Sequence, residues 1–288
     1  MNLRKITFPT LLSFTLLVSC SLFEEDPIDP AYLHIDTYSV KVESDQGTAS
    51  HDISDSWVYL DGSLLGAFEL GTDIPWLDRG GNGEVLVFPG IRDNGIRSLP
   101  SIYAMLRPDT FQLSFEALQI DTLKPVFRYF DDAVFLLNEN FEFGNSLTLD
   151  LDNNENTKVE RTRDEAFEGN YSARLQVDSE NQVIEVASEF LYTSLPNGRP
   201  VYLELHYKND HPFSVGLLGE RLEAAPTRFY KLTLRPTDEW KKVYINFQEE
   251  ITFTDFQGYR ILFGLAKDES HPTDTATVFL DNIKFLHR

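Results

Sequence analysis

Apolar and polar residues alternate along this chain in short runs of four to eight, broken by Gly, Asn, Asp and Pro, and no long 3.6-residue periodicity is present. That pattern predicts an all-β protein. In the first half, Trp57-Val58-Tyr59-Leu60 reads as a strand, Asp61-Gly62 as a tight turn, and Leu64 to Leu70 as the next strand. Gly80-Gly81-Asn82-Gly83 reads as a further turn before the strand Glu84 to Phe88. Thr110 to Leu118 alternates with Phe111, Leu113 and Phe115 on one face, and Val126 to Tyr129 closes this half. In the second half, Val201 to Tyr207, Trp240 to Phe247 and Val278 to Phe285 read as strands. The expected organisation is two β-sandwich domains, 31–130 and 137–288, with a linker at 131–136 around Asp131-Asp132.

The two faces of the second-half strands differ. Val201, Leu203, Leu205 and Tyr207 share one face, and Tyr202, Glu204, His206 and Lys208 share the other. Val243, Ile245 and Phe247 oppose Lys242, Tyr244, Asn246 and Gln248 in the same way. A saccharide needs a flat apolar ring for its C–H face and polar side chains for its hydroxyls. Tyr202, Glu204, His206, Tyr244 and Asn246 are therefore the candidate ligand-binding residues. Plain solvent-facing polarity gives the same alternation, and the two strands could lie in different sheets.

Two stretches resemble known modules. Trp57 to Gly62, Leu65-Gly66, Pro75 and Gly83 to Val87 resemble a PEGA-like or carboxypeptidase-regulatory-like β-sandwich, which implies a small non-catalytic spacer. From Leu137 on, Asn138-x-x-Phe141-Glu142, Gly169-x-x-Ser172-Ala173, Trp240-Lys241 and Asp281-Asn282-Ile283 follow one another in an order that resembles the galactose-binding-like jelly roll of many carbohydrate-binding modules. The chain departs from that pattern at Glu139, where the family often has Gly. The resemblance implies a glycan-recognition domain and a structural calcium between its first and last strands, with Glu142 and Asp281 on the matching positions. Calcium takes six to eight oxygens, so loop carbonyls near Gly169 to Ser172 would have to contribute. At Trp240 the resemblance implies a structural role.

The N-terminus changes the picture of where the protein works. Arg4 and Lys5 precede an apolar stretch, Ile6 to Val18, that is too short for a bilayer span of about 20 residues. Leu17-Val18-Ser19-Cys20 follows and resembles a bacterial lipobox, with Cys20 the only cysteine of the chain. Residues 1–19 would then be a lipoprotein signal peptide, and Cys20 would carry the acyl chains, palmitate among them, that hold the protein to the outer membrane. Residues 20–30 form an acidic tether. Its Glu24-Glu25-Asp26 cluster resembles the surface-export signal of Bacteroidetes lipoproteins. The formal net charge is −21, which disfavours nucleic acid as a partner.

No constellation singles out a catalytic centre. The six histidines form no His-x-His or His-x-x-x-His pair, which argues against zinc. His51, Asp52 and Ser54 lie close in sequence without a Gly-x-Ser-x-Gly elbow. Asp150, Asp152, Asn154 and Asn156 begin like an EF-hand loop, but Glu155 replaces its Gly and Arg161 its final Glu, so a polar loop is expected. Carboxylate pairs for glycoside hydrolysis depend on separations in space. The sequence thus predicts a non-catalytic surface lipoprotein whose jelly roll recognises a glycan or glycoconjugate. The alternatives are an accessory or assembly subunit of an outer-membrane complex, and a carbohydrate-active enzyme built on the jelly roll.

Overall fold

A computed structural model describes residues 29–77, 81–252, 255–268 and 273–288. Cys20 and the acidic cluster lie outside them. The protein is all-β, with two sandwich domains, the second a jelly roll.

The first domain contains β1 (Ala31–Ile35), β2 (Ser39–Lys41), β3 (Asp55–Leu60), β4 (Ser63–Glu69), β5 (Asp73–Trp76) and β6 (Gly81–Arg92). It continues with β7 (Pro100–Ile102), β8 (Leu106–Arg107), β9 (Asp109–Phe115), β10 (Ile120–Leu123) and β11 (Val126–Tyr129). One sheet has the order β4-β3-β6-β7, with β9 also paired to β6. Two three-stranded sheets, β10-β1-β5 and β2-β11-β8, complete the domain. The β3–β4 hairpin turns on Asp61 and Gly62, both left-handed (φ 46° and 78°), as a two-residue turn between twisted strands requires. The Asp61 carboxylate also accepts the Glu84 N–H at 2.8 Å.

The expected turn at Gly80–Gly83 is corrected. Gly81 to Gly83 open β6 and pair with Phe115 to Leu113. Gly83 is needed because a Cβ there would come within 2.8 Å of the Phe115 ring.

The second domain contains β12 (Val134–Glu139), β13 (Leu149–Asp150), β14 (Glu160–Thr162), β15 (Ser172–Val177), β16 (Val183–Ala187) and β17 (Val201–Asn209). It ends with β18 (Phe213–Arg221), β19 (Ala224–Leu234), β20 (Thr237–Asn246), β21 (Gly258–Ala266) and β22 (Ala276–His287). Its first sheet has the order β14-β15-β22-β17-β20, with β12 paired to β22, and its second the order β13-β16-β21-β18-β19. Leu175, Leu203, Leu205, Ile245, Phe263 and Phe285 are fully buried between the two sheets. The expected linker is shorter than 131–136, since Val134 and Phe135 already pair with His287 and Leu286.

The domains share a core. Tyr202, Tyr244 and Leu286 of the jelly roll pack into the apolar cluster of the first domain with Tyr103, Met105 and Tyr129. The outer face of the first jelly-roll sheet is therefore the floor of the domain interface.

Candidate functional site

The sequence-predicted ligand face is that covered floor. The period-two assignment of faces holds, and β17 and β20 are neighbours in one sheet, with Glu204 opposite Tyr244 and Tyr202 opposite Asn246. Four of the five predicted residues are out of reach of solvent: Tyr202, Glu204, His206 and Tyr244 are 1–3% exposed, and only Asn246, at the edge, is part-buried. The first domain occupies the place a saccharide would take, so the expectation of an open face is corrected.

Around Glu204 the interface is a charged network. Its Oε1 accepts the hydroxyls of Tyr103 at 2.5 Å and Tyr129 at 2.8 Å, both from the first domain. Its Oε2 lies 2.6 Å from Lys242 Nζ, a buried ion pair. Lys242 donates to the Ser50 carbonyl, and Lys284 donates to the Thr48 carbonyl and the Tyr129 hydroxyl. Burial alone would raise the Glu204 pKa, but Lys242 and Lys284 overcome it and hold the group at about 2. Burial and Lys242 push His206 down to about 3, so its ring is neutral, bonded to Ser50 Oγ and stacked on Phe167. The Tyr244 hydroxyl accepts the Asp52 N–H, and Asn246 accepts the Gln248 N–H and donates to the Tyr202 hydroxyl. These groups join two domains and leave no vacancy for a ligand.

The calcium expectation meets a different arrangement. Glu142 Oε1 accepts the N–H groups of Asn170 and Tyr171, which lower its pKa. Asp281 Oδ2 accepts those of Phe167 and Glu168, and its Oδ1 that of Asn282. Burial nevertheless raises the Asp281 pKa to about 6. Both carboxylates thus hold the 167–171 loop through N–H donors, where calcium would need oxygen acceptors. Among the described residues no group of three or more His, Cys, Asp or Glu side chains is placed to hold a metal. The residues in this arrangement do not fit the ion. The EF-hand-like stretch is a polar loop: Asp150, Asp152 and Asn154 each accept backbone N–H groups of their own segment.

The open site lies on the opposite side of the jelly roll. On β18 and β21, Phe213, Val215, Leu217, Ile261, Phe263 and Leu265 point into the core. Ser214, Gly216, Gly264 and Leu262 alternate with them on the outer face. Ser214 pairs with Gly264 and Gly216 with Leu262; the missing side chain at Gly264 leaves a shallow recess, while at Gly216 the backbone of β19 closes over the sheet. The recess there measures about 370 Å³ and is lined by Asp152, Glu185, Ser214, Tyr230 and Gly264 among others. That is the scale of a small-ligand site.

Tyr230 reaches in from β19 and lies over Gly264, where a Cβ would come 2.6 Å from its hydroxyl. The hydroxyl donates to Glu185 Oε1 at 2.7 Å, and Arg228 grips the same carboxylate through Nε at 2.7–2.8 Å and through its second nitrogen at 2.6 Å. Burial, then the Glu185 contact, raises the Tyr230 pKa, so the phenol stays neutral. Tyr230 and Arg228 are each 43% exposed, by whole residue and by side chain respectively. The groove thus presents a fixed aromatic ring, a neutralised Glu–Arg pair and the hydroxyls of Ser214 and Thr233, which lie 3.0 Å apart. None of these residues stood out in the sequence. The available signal was the pair of glycines at outward positions of otherwise apolar strands, facing the alternation Arg228-Phe229-Tyr230.

No family model and no curated protein matches the chain. Solved structures that resemble it include carbohydrate-binding modules. The family 22 xylan-binding domain of Xyn10C from Paenibacillus barcinonensis is 18% identical, with 54% of this chain and 95% of that one covered and a TM-score of 0.36. A family 30 carbohydrate-binding module of a cellulosomal cellulase of Clostridium thermocellum is 14% identical, with 53% and 96% covered and a TM-score of 0.37. A carbohydrate-binding module of the β-sandwich superfamily is 13% identical, with 84% and 86% covered and a TM-score of 0.35.

Proposed function

We propose that this protein is a non-catalytic, lipid-anchored surface protein whose jelly roll binds a glycan in the β16–β21–β18–β19 groove. The observation that carries the reading is Tyr230, half exposed and locked over Gly264 by its bond to Glu185. A sugar ring stacked on it would bury C–H surface, and the Glu185–Arg228 pair and Ser214 would meet hydroxyls. The Glu185 and Arg228 charges cancel, and the Asp152 carboxylate is engaged by the Glu185 and Asn154 N–H groups and the Thr157 hydroxyl, which suits a neutral saccharide. A glycosidase reading lacks its acid. Glu185 is held by Arg228 and Tyr230, and both oxygens of Asp152 accept donors from Glu185, Asn154 and Thr157.

The test is titration of the protein with a panel of neutral polysaccharides. Tyr230→Ala is expected to weaken binding about tenfold or more, which corresponds to about 1.4 kcal/mol. Binding indifferent to Tyr230→Ala would move the site elsewhere, and a panel with no binder would favour the accessory-subunit alternative.

The lipid anchor rests on the lipobox-like Leu17-Val18-Ser19-Cys20. Cys20→Ser is expected to shift the protein from the membrane to the soluble fraction of cells. Equal membrane retention would place the anchor elsewhere. Export to the outer face, proposed from Glu24-Glu25-Asp26, predicts digestion by protease added to intact cells.

A further inference from the structure

The sheet β10-β1-β5 has one buried face, carrying Ala31, Leu33 and Ile35, and one outer face. On the outer face Tyr32 pairs with Ile120 on one side and Pro75 on the other, which makes an apolar row. Leu77 extends that row toward the end where the chain enters the domain, and Leu118 lies in the turn at the same end. They lie two residues after Pro75 and two before Ile120, and the Leu118 N–H donates to the Pro30 carbonyl at 2.9 Å. The three large side chains meet water rather than protein: Leu77 is 66% exposed, Leu118 67% and Ile120 54%.

Leu118 bears a second cost. Its backbone is left-handed (φ 66°), a conformation uncommon for any residue with a Cβ. An exposed leucine on a strained backbone stabilises nothing inside the domain, which points to a use outside it.

The position of the patch identifies the occupant. Pro30 is ten residues from Cys20, so the patch lies within about 36 Å of the proposed lipid anchor even at full extension. We propose that the end of the β10-β1-β5 sheet, through Leu77, Leu118 and Ile120, rests in the surface of the bilayer that holds the acyl chains. This rests on the lipid-anchor reading. Asp29 precedes Pro30 and Glu116 lies two residues before Leu118 in the chain, and Asp73 sits on His34 at the far end of the same face. The contact is therefore apolar and insensitive to salt, and it favours neutral over anionic lipid. Such a patch binds weakly by itself. Tethering makes it effective, because the anchor turns contact into an intramolecular event. The contact would fix the first domain against the membrane and hold the groove of the second domain at a set orientation.

Cys20 is the only native cysteine, and acylation would block it, so a cysteine introduced elsewhere takes a fluorophore uniquely. The lipidated full-length protein is purified from cells and placed in phosphatidylcholine vesicles carrying nitroxide-labelled lipid. A label at Leu118→Cys is expected to be quenched several-fold more strongly than one at Leu222→Cys, an equally exposed leucine of the second domain. Ile120→Cys gives a second reading should the first variant fold poorly. Equal quenching at 118 and 222 in vesicle-bound protein overturns the proposal while leaving the anchor intact. A label at 118 shielded from both lipid quencher and aqueous iodide also overturns it, in favour of a protein partner or a second copy. Wild-type protein recovered in the soluble fraction overturns the anchor, and the proposal with it.

Discussion

Replacing Glu204 with alanine is expected to destabilise the protein by about 3–5 kcal/mol, the range for breaking a buried ion pair from one side. The carboxylate is fully buried between the domains and is in direct contact with Lys242, Tyr103 and Tyr129, the last of which also binds Lys284. Its removal strands a Lys242 ammonium that keeps only the Ser50 carbonyl, and leaves two phenolic O–H groups without an acceptor. Denaturant unfolding measures the loss. A loss below about 1 kcal/mol would mean that the domains are not held by this network.

The double variant Glu204→Met, Lys242→Met tests the cause. Apolar replacement of a whole buried pair is often neutral, so the part of the loss due to the stranded Lys242 ammonium should be recovered, while the two phenols stay without their acceptor. Lys284, which burial lowers to about 8, loses the favourable charge of Glu204 and the opposing charge of Lys242 together, and it keeps the Thr48 carbonyl and the Tyr129 hydroxyl. The pH dependence has a fixed sign. Glu204 is held at about 2 against an ordinary 4.5, so its contribution is present above pH 4.5 and disappears as pH falls through about 2. Glu204→Gln is expected to flatten the stability profile over that interval. An unchanged profile would show that other carboxylates set the acid limit.

The sequence shows the alternation of Val201 to Lys208 and Lys242 to Gln248, and the structure has the same inward and outward sets. What covers the outward set is not local information. Tyr103 and Tyr129 reach Glu204 from 101 and 75 residues away, and neither lies in a run that marks it as an interface residue. One hint exists in β17, where Val-Tyr-Leu-Glu-Leu-His-Tyr is apolar or aromatic at nearly every position. That composition suits a strand buried on both faces better than one facing water. The hairpin at Asp61-Gly62 was legible because a two-residue turn demands φ > 0 locally. The Gly81–Gly83 run was misread as a turn for the converse reason. Gly83 relieves crowding from Phe115, which belongs to a strand about 30 residues later, while a Cβ at Gly81 would meet nothing. The groove was illegible because Tyr230 and Glu185 meet across β18 and β21, a consequence of strand order that no spacing encodes.

Gly264 in the groove floor and Gly216 beside it under β19 are expected to respond oppositely to the same added methyl. At Gly216 a Cβ would lie 2.1 Å from the Phe229 carbonyl oxygen and 2.8 Å from Tyr230 Cα. Both are backbone atoms of β19, where the register with β18 shifts between Val215 and Gly216. That bulge sets Arg228 and Tyr230 on the outer face, and it exists because the two backbones approach more closely than a side chain permits. Gly216→Ala must push the strands apart, at a cost of about 1–3 kcal/mol or more, the range for overpacking a tightly packed site. It should also abolish glycan binding by shifting β19. At Gly264 the same Cβ would meet only the far end of the Tyr230 side chain, 2.6 Å away, which can swing out over solvent. Gly264→Ala should therefore leave unfolding nearly unchanged while it breaks the Tyr230–Glu185 bond and weakens binding about as much as Tyr230→Ala. Loss of stability at Gly264 equal to that at Gly216 would show that Tyr230 is a packing residue and not a ligand platform. Full stability at Gly216→Ala would show that the two strands are not in close contact there, and that this approach does not set Tyr230 in place.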